Sequence, residues 1–565
     1  MVAARRRPWD PFRVIRPGLK GITLRATWGV LKVAGVLAVT LMSAAVWASP
    51  GVATEPRAQT FRDVIVTLRA PALVVAGAPG AAAQERALRR VARVAQRDIL
   101  RTLARQRAAG AVRRVRPLWI VNAVEVLATR QVLATLAANP AVAAVRPNTT
   151  LRATRRARAA SVPASPPSDN VALIHAPQLW NAGLTGVGVV VASLDSGVDD
   201  SHPALAAAYR GGKNSWFDAS GEHPDGPIDT SGHGTATMGI MVGNGAGGTT
   251  LGIAPDARWI AAKIFDDHGK STVARIHAAF QWLLDPDGNP STHDAPQVVN
   301  GSWNVARAGC DLSFEPDLRA LRAAGILPVF ASGNDLHDVS PANNPSALAV
   351  GGVDAAGAIA RGSGRGSSAC GGAVYPQLVA PGVDVPTTDV AGLYATQTGT
   401  SVAAPHVAGA LALMLGGRPG VSALRQQSAL QATAVDLGAR GADSVFGFGR
   451  VDSAAAYHWL LTAPDLALTP QRWSASLRAG GSSKLALIVS GVHGFAGAVR
   501  LKILGLPRGV AATAPRFVAG GRRVVRIALR AAATVAPTRE EVPITVRATA
   551  AGRTWDIVLS LTVLR

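Results

Sequence analysis

Four largely apolar runs, 187–194, 258–264, 297–303 and 326–331, alternate with three stretches of helical spacing, 234–242, 273–284 and 317–324. A strand that is apolar on both faces must be covered on both faces. The pattern therefore predicts an α/β fold, a parallel sheet held between two layers of helices. Sheets of this kind bind and react at the carboxyl ends of their strands. Three polar residues fall there: Asp195 after the first run, Ser302 within the end of the third, and Asn334 just past the fourth.

A hydroxyl lies in a similar setting further on. In Gly399-Thr400-Ser401-Val402-Ala403-Ala404-Pro405-His406, a serine stands between a glycine and a run of small residues that opens a helix pattern reaching residue 415. A first-turn position offers Ser401 unpaired N–H groups and the positive end of the helix. That environment suits a nucleophile whose product is an oxyanion. Pro405 is expected to fall within the first turn, where its missing N–H costs nothing. Asp195 precedes Ser196-Gly197, and His233 precedes Gly234 at the start of another helix pattern. An aspartate, a histidine and a serine thus each stand where an element meets a glycine-bearing turn. A serine needs a base, imidazole can act as one near neutrality, and a carboxylate can hold the imidazole tautomer.

Their chain order, Asp195, His233, Ser401, is that of the subtilisins. From about residue 176 to 457 the sequence resembles the subtilisin-like (subtilase) serine proteases. Trp216-Phe217-Asp218, Trp259-Ile260-Ala261-Ala262-Lys263 and Asn300-Gly301-Ser302-Trp303 resemble the bacillopeptidase F branch. The resemblance implies a three-layer subtilisin-like fold, an Asp195–His233–Ser401 triad and an oxyanion donor at Asn334. It also implies two backbone walls beside the substrate, Ser302-Trp303-Asn304 and Ala331-Ser332-Gly333. The position after the catalytic histidine's Gly-Thr is Ala236, where relatives often carry a second histidine. Val402 stands for the usual methionine, and Asn304 for a common glycine. His202 and His406 are expected to be structural. No cofactor is implied. A structural calcium ion is common among relatives, but the loop 243–250 supplies Asn244 and no acid.

At 565 residues the chain holds more than one domain. Residues 1–48 carry eight basic residues before an apolar stretch and end in Val46-Trp47-Ala48, the layout of a signal peptide. Residues 49–160 run strand, helix, strand, strand, helix, strand. This is the ferredoxin-like split motif, and it resembles the subtilase propeptide, an inhibitor and folding aid. The stretch 148–170 is basic, then rich in Ser and Pro, a linker open to cleavage. The protease domain is assigned to 161–461. Short alternating runs over 462–565, punctuated by glycine and proline, predict an all-β sandwich of Ig or fibronectin type.

The net charge of +23 resembles a nucleic-acid footprint, but it does not spread along the chain. Residues 1–160 hold 28 Lys+Arg against 6 Asp+Glu, 161–460 hold 15 against 25, and 461–565 hold 15 against 4. With no aromatic platform beside the charge, nucleic acid is not an expected partner. Cys310 and Cys370 are the only cysteines, and in an exported protein an even count predicts one disulfide. The expected partners are protein or peptide substrates and the chain's own propeptide, with no membrane once the signal is cut. The expected location is extracellular, in the medium, the periplasm or at the cell surface.

Overall fold

The computed structural model describes residues 60–69, 81–153, 169–244, 251–305, 309–472, 474–519, 521–538, 542–550 and 553–564. The signal-peptide reading, most of the linker and most of the loop 243–250 lie outside them.

The first domain contains β1 (Phe61–Leu68), α1 (Ala81–Ala108), β2 (Val112–Leu118), β3 (Ala123–Thr129), α2 (Arg130–Ala137) and β4 (Val142–Pro147). These elements follow the expected order. The strands form an antiparallel sheet, β2-β3-β1-β4, with α1 and α2 covering one face through Ile99, Leu103, Val132 and Leu136. A short strand, β5 (Thr150–Arg152), carries the chain onward.

Next come α3 (Asp169–Leu173), α4 (Ala176–Asn181), β6 (Val190–Asp195), β7 (Trp216–Asp218), α5 (His233–Val242), β8 (Arg258–Lys263), β9 (Lys270–Thr272), α6 (Val273–Leu284), β10 (Val298–Gly301), α7 (Glu315–Ala323), β11 (Leu327–Ala331) and β12 (Leu348–Val353). They are followed by the hairpin β13 (Gly366–Ser367) and β14 (Val374–Tyr375), β15 (Leu378–Pro381), β16 (Val385–Thr388), β17 (Tyr394–Gln397), α8 (Thr400–Gly417), α9 (Ala423–Ala432) and α10 (Ser453–Thr462). Seven strands form one parallel sheet in the order β15-β12-β11-β10-β6-β8-β7. One face packs on α5 and α8, and the other on α6 and α7. The four expected strands are its centre. β7, β12 and β15 are additional; β12 and β15, rich in Gly, Ala and Pro, show no periodicity that separates them from loops.

Helix α8 is the one described helix long and apolar enough to cross a bilayer, yet 83% of it is buried in the protein. It is the core helix of this layer. Pro405 lies inside it, in the second turn rather than the first. The carbonyl of Ser401, which would have bonded to the N–H of residue 405, accepts instead from Ser302 Oγ at 2.8 Å.

The last segment contains β18 (Asp465–Pro470), β19 (Ser474–Arg478), β20 (Ser482–Val492), β21 (Gly497–Leu504), β22 (Val510–Thr513), β23 (Phe517–Ala519), β24 (Arg523–Ala531), β25 (Val542–Ala550) and β26 (Arg553–Leu564). Two sheets, β18-β20-β24-β22 and β19-β26-β25-β21-β23, enclose one apolar core.

The first domain rests on α6. Asn148 Oδ1 accepts from Ala274 N at 3.0 Å, at the start of that helix. Gln281 Oε1 accepts from Trp119 N at 2.7 Å midway along it. At its end, Arg89 Nη2 donates to Asp285 Oδ2 at 2.6 Å, and Arg89 Nε donates to Glu85. Glu85 and Asp285 are both buried and share a hydrogen bond. Two carboxylates and one guanidinium cannot all be charged there without loss. Burial, and behind it the bond to Asp285, pushes the Glu85 carboxyl from its ordinary 4.5 up to about 8. Docking of α1 therefore takes up a proton. This contribution is complete below the ordinary value and is lost as pH rises to about 8. In the full-length Ser401→Ala chain, the opening of α1 measured by hydrogen exchange should grow with pH across that window, by at most about tenfold per unit. Glu85→Gln should flatten the dependence; an equally steep one would show that another group governs it.

Candidate active site

Asp195 is the last residue of β6 and His233 the first of α5. The His233 Nδ1–H donates to Asp195 Oδ1 at 2.7 Å, and Ser196 N donates to the same oxygen at 2.7 Å. Asp195 is buried and His233 partly exposed, so the ring presents its other edge toward solvent while its inner edge is held. Two glycines make the approach possible. A Cβ on Gly234 would strike the carbonyl oxygen of Gly197, and one on Gly197 would strike that of Ile228. Asp229 accepts from the N–H groups of Ser231, Gly232 and Thr235, tying the turn that enters α5.

Ser401 is the second residue of α8, after Gly399 with φ 152°. A Cβ on Gly399 would lie 3.4 Å from Asn334 Nδ2 and 3.4 Å from Ser401 Oγ. Those two polar atoms therefore border the same small space. The Asn334 amide is oriented by Thr400, whose N–H and Oγ1 both donate to its Oδ1, at 2.9 and 3.0 Å. Thr400 Oγ1 in turn accepts from Gly333 N at 3.1 Å. With Oδ1 so engaged, the Nδ2 group is the end left to face the serine.

A model described as the Subtilase family matches residues 186–449. Bacillopeptidase F of Bacillus subtilis (strain 168) is 34% identical over 374 residues, which is 60% of this chain but 26% of that protein. Subtilisin BL of Lederbergia lenta is 33% identical over 288 residues, 51% of this chain and 97% of that one. Subtilisin E of Bacillus subtilis (strain 168) is 32% identical over 274 residues, 47% of this chain and 66% of that one. The chain belongs to the subtilase family of serine endopeptidases. It spans about a quarter of the length of bacillopeptidase F.

Within this subtilase the residues of the two expected walls divide. Gly333 has φ 94°, the left-handed region, and a Cβ there would press on Val339. The Trp303 side chain is buried in the core, edge-on to Phe314 and Phe330, so only its backbone can face a substrate. Ser332 is fully buried, its Oγ donating to Gly364 O at 3.1 Å, and Ala331 is also buried. Asn304 is half-buried. Ser302 directs its hydroxyl inward to Ser401 O and accepts from Asn300 Nδ2 at 3.1 Å. Thr400, which orients Asn334, is the neighbour that sequence reading overlooked; its place beside Ser401 was the available signal.

His202 and His406 are held as parts of the scaffold. His406 accepts from Asn170 Nδ2 at its Nε2 and donates from Nδ1 to Val402 O, and burial pushes its imidazole down to about 4. His202 bonds Leu393 O and Ala204 N. Cys310 and Cys370 are bridged, with Cα atoms 4.9 Å apart, joining the segment after β10 to the loop between β13 and β14.

Ser302 connects two constraints, the proline in α8 and the backbone of Ser401. Ser302→Ala leaves that buried carbonyl without a partner, at a cost of about 1–3 kcal/mol. The expected result is a kcat lowered by roughly tenfold with KM nearly unchanged, measured on a chromogenic peptide. A change confined to KM would place the Ser302 hydroxyl on the substrate instead.

Proposed function

We propose that the chain is an exported serine endopeptidase that hydrolyses peptide bonds through Asp195, His233 and Ser401 and is made as a self-processed zymogen. The observation that carries the reading is that Ser401 Oγ and Asn334 Nδ2 border the same space at Gly399, while His233, at the start of the helix packed on α8, is bonded to a buried carboxylate. Ser401 Oγ attacks the scissile carbonyl and His233 takes its proton. Asp195 keeps the proton on Nδ1 and stabilises the imidazolium. The developing oxyanion is met by Asn334 Nδ2 and the Ser401 N–H. Asn334 donates without a net charge that would hold the ground state equally well. His233 returns the proton to the leaving amine, and water then releases the acyl group by the same steps in reverse order. Neutral imidazole is required, so kcat/KM falls on the acid side.

The path of a substrate backbone is suggested by β5. It pairs antiparallel with β9, Leu151 opposite Ser271, and Ala153 N donates to Gly269 O at 2.8 Å. A peptide can add to this edge as an extra strand. Leu151 is buried, which supports an apolar preference at that position. On this reading residues 49–160 are the propeptide and its linker, and the cut falls within the linker. Residues 1–48 are read as the export signal, and 462–565 as an accessory module without a catalytic cluster among its described residues.

Asn334→Ala should lower kcat by about a hundredfold or more with little effect on KM; a loss confined to KM would remove Asn334 from the oxyanion site. Labelling by an organophosphate should fall on Ser401, and a chain that does not label would speak for a silent, binding scaffold. Ser401→Ala should retain its N-terminal domain when both forms are made in a protease-deficient host and weighed by mass spectrometry. Equal loss from mutant and wild type would assign the cut to another protease, and Arg155, Arg156 and Arg158 are its natural targets.

A further inference from the structure

One lysine in the parallel sheet has no role in the account above. Lys263 ends β8 directly opposite Asp195 in the β6–β8 register. It is fully buried. Its Nζ donates to Ser196 O at 2.9 Å and pairs with Asp267 Oδ1 at 3.2 Å. A buried ammonium carries a large desolvation cost, and an apolar side chain of similar length would avoid it. Its location shows what is gained. Ser196 is the residue after Asp195 and is held at three atoms. Its N–H binds Asp195 Oδ1, its Oγ accepts from Gly234 N at 3.0 Å, and its carbonyl takes the lysine. The turn so clamped joins the carboxylate to the backbone that carries His233.

We infer that Lys263 is a positioning residue of the triad: it fixes the Asp195–Ser196 turn against α5 and keeps a positive charge beside a buried catalytic carboxylate. This rests on the triad reading given above. Asp195 Oδ2 is buried and accepts no hydrogen bond among the described residues, so the carboxylate is held through Oδ1 and the Ser196 turn. Asp267 cannot absorb the whole ammonium charge in this direction. It is about one-third exposed, and it also accepts from His223 Nε2 at 2.8 Å and Thr230 Oγ1 at 3.3 Å. The bond from His223, and after it the one from Lys263, holds the Asp267 carboxyl below the usual carboxylate range. Other charged and titratable groups along this edge include Asp218, opposite Lys263 in the β7–β8 register, and Glu222, Asp229, His233 and Asp266, the last paired with Arg275.

The test uses enzyme purified from expression of the full-length chain, with the pH dependence of kcat/KM as the readout and organophosphate titration as the count of competent sites. Removing the ammonium makes the site more negative, favours imidazolium and raises the pH at which activity is lost. Lys263→Met should therefore move the acid limb up by about half a pH unit or more and lower kcat more than KM rises. Asp267→Asn removes a negative charge at a partly exposed position and should move the limb down. A purely structural lysine would lower the fraction of competent sites and leave the limb in place. Unmoved limbs in protein that labels fully would overturn the inference. If Lys263→Met does not fold, an unmoved limb in Asp267→Asn alone overturns it. Failure of the parent enzyme to label at Ser401 would remove the triad reading and this inference together; labelling with unmoved limbs removes only this one.

Discussion

Helix α8 has no polar face: every residue from Val402 to Leu415 is buried. It packs along the sheet against β10, β11, β12 and β15 and beside α5. A helix enclosed on all sides cannot slide or turn without exposing apolar surface or opening a cavity. Its first turn is therefore held at the sheet's carboxyl edge, where β6, β10 and β11 also end. Ser401 needs no mobile loop to reach its neighbours, because the core that stabilises the fold also sets the position of the hydroxyl.

Close approach around that edge rests on small residues and on exchanged hydrogen bonds. Gly197 and Gly234 let β6 and α5 come near enough for Asp195 and His233 to bond. Pro405 frees the Ser401 carbonyl, and Ser302 takes it up. Thr400 fixes the Asn334 amide, and Lys263 holds the carbonyl of Ser196. On the proposed mechanism each reacting group is thus set by a neighbour that does not itself react, which limits reorganisation when charge develops.

The first domain meets this body along α6, with a bond at the helix start, one midway and an ionic group at the end. Its excess of basic residues faces a protease region with more acids than bases, so long-range attraction favours docking. The Glu85–Arg89–Asp285 group makes the contact sensitive to protons. Strand β5 then leads the chain along β9. Docking and the pairing with β9 are thus continuous in one segment.

Sequence alone determined the parts that depend on local pattern. The apolar runs located the central strands, because burial on both faces leaves no polar alternation. Asp195, His233, Ser401 and Asn334 were legible because each stands beside a glycine or small residue at the end of an element. The paired cysteines were legible by count. Tertiary structure alone decided matters that depend on partners distant in the chain. β12 and β15 are strands because they bond to neighbouring strands, not because their short sequences, interrupted by Gly and Pro, favour extension. Pro405 is tolerated because Ser302, about a hundred residues earlier, supplies the missing donor. Trp303 turned to the core because Phe314 and Phe330 formed the space it fills. Lys263 and Glu85 read as ordinary charges in sequence. They acquire their roles only when folding excludes water and places Asp195 and Asp285 beside them, since the interaction between charges depends on distance and dielectric, which sequence spacing does not set.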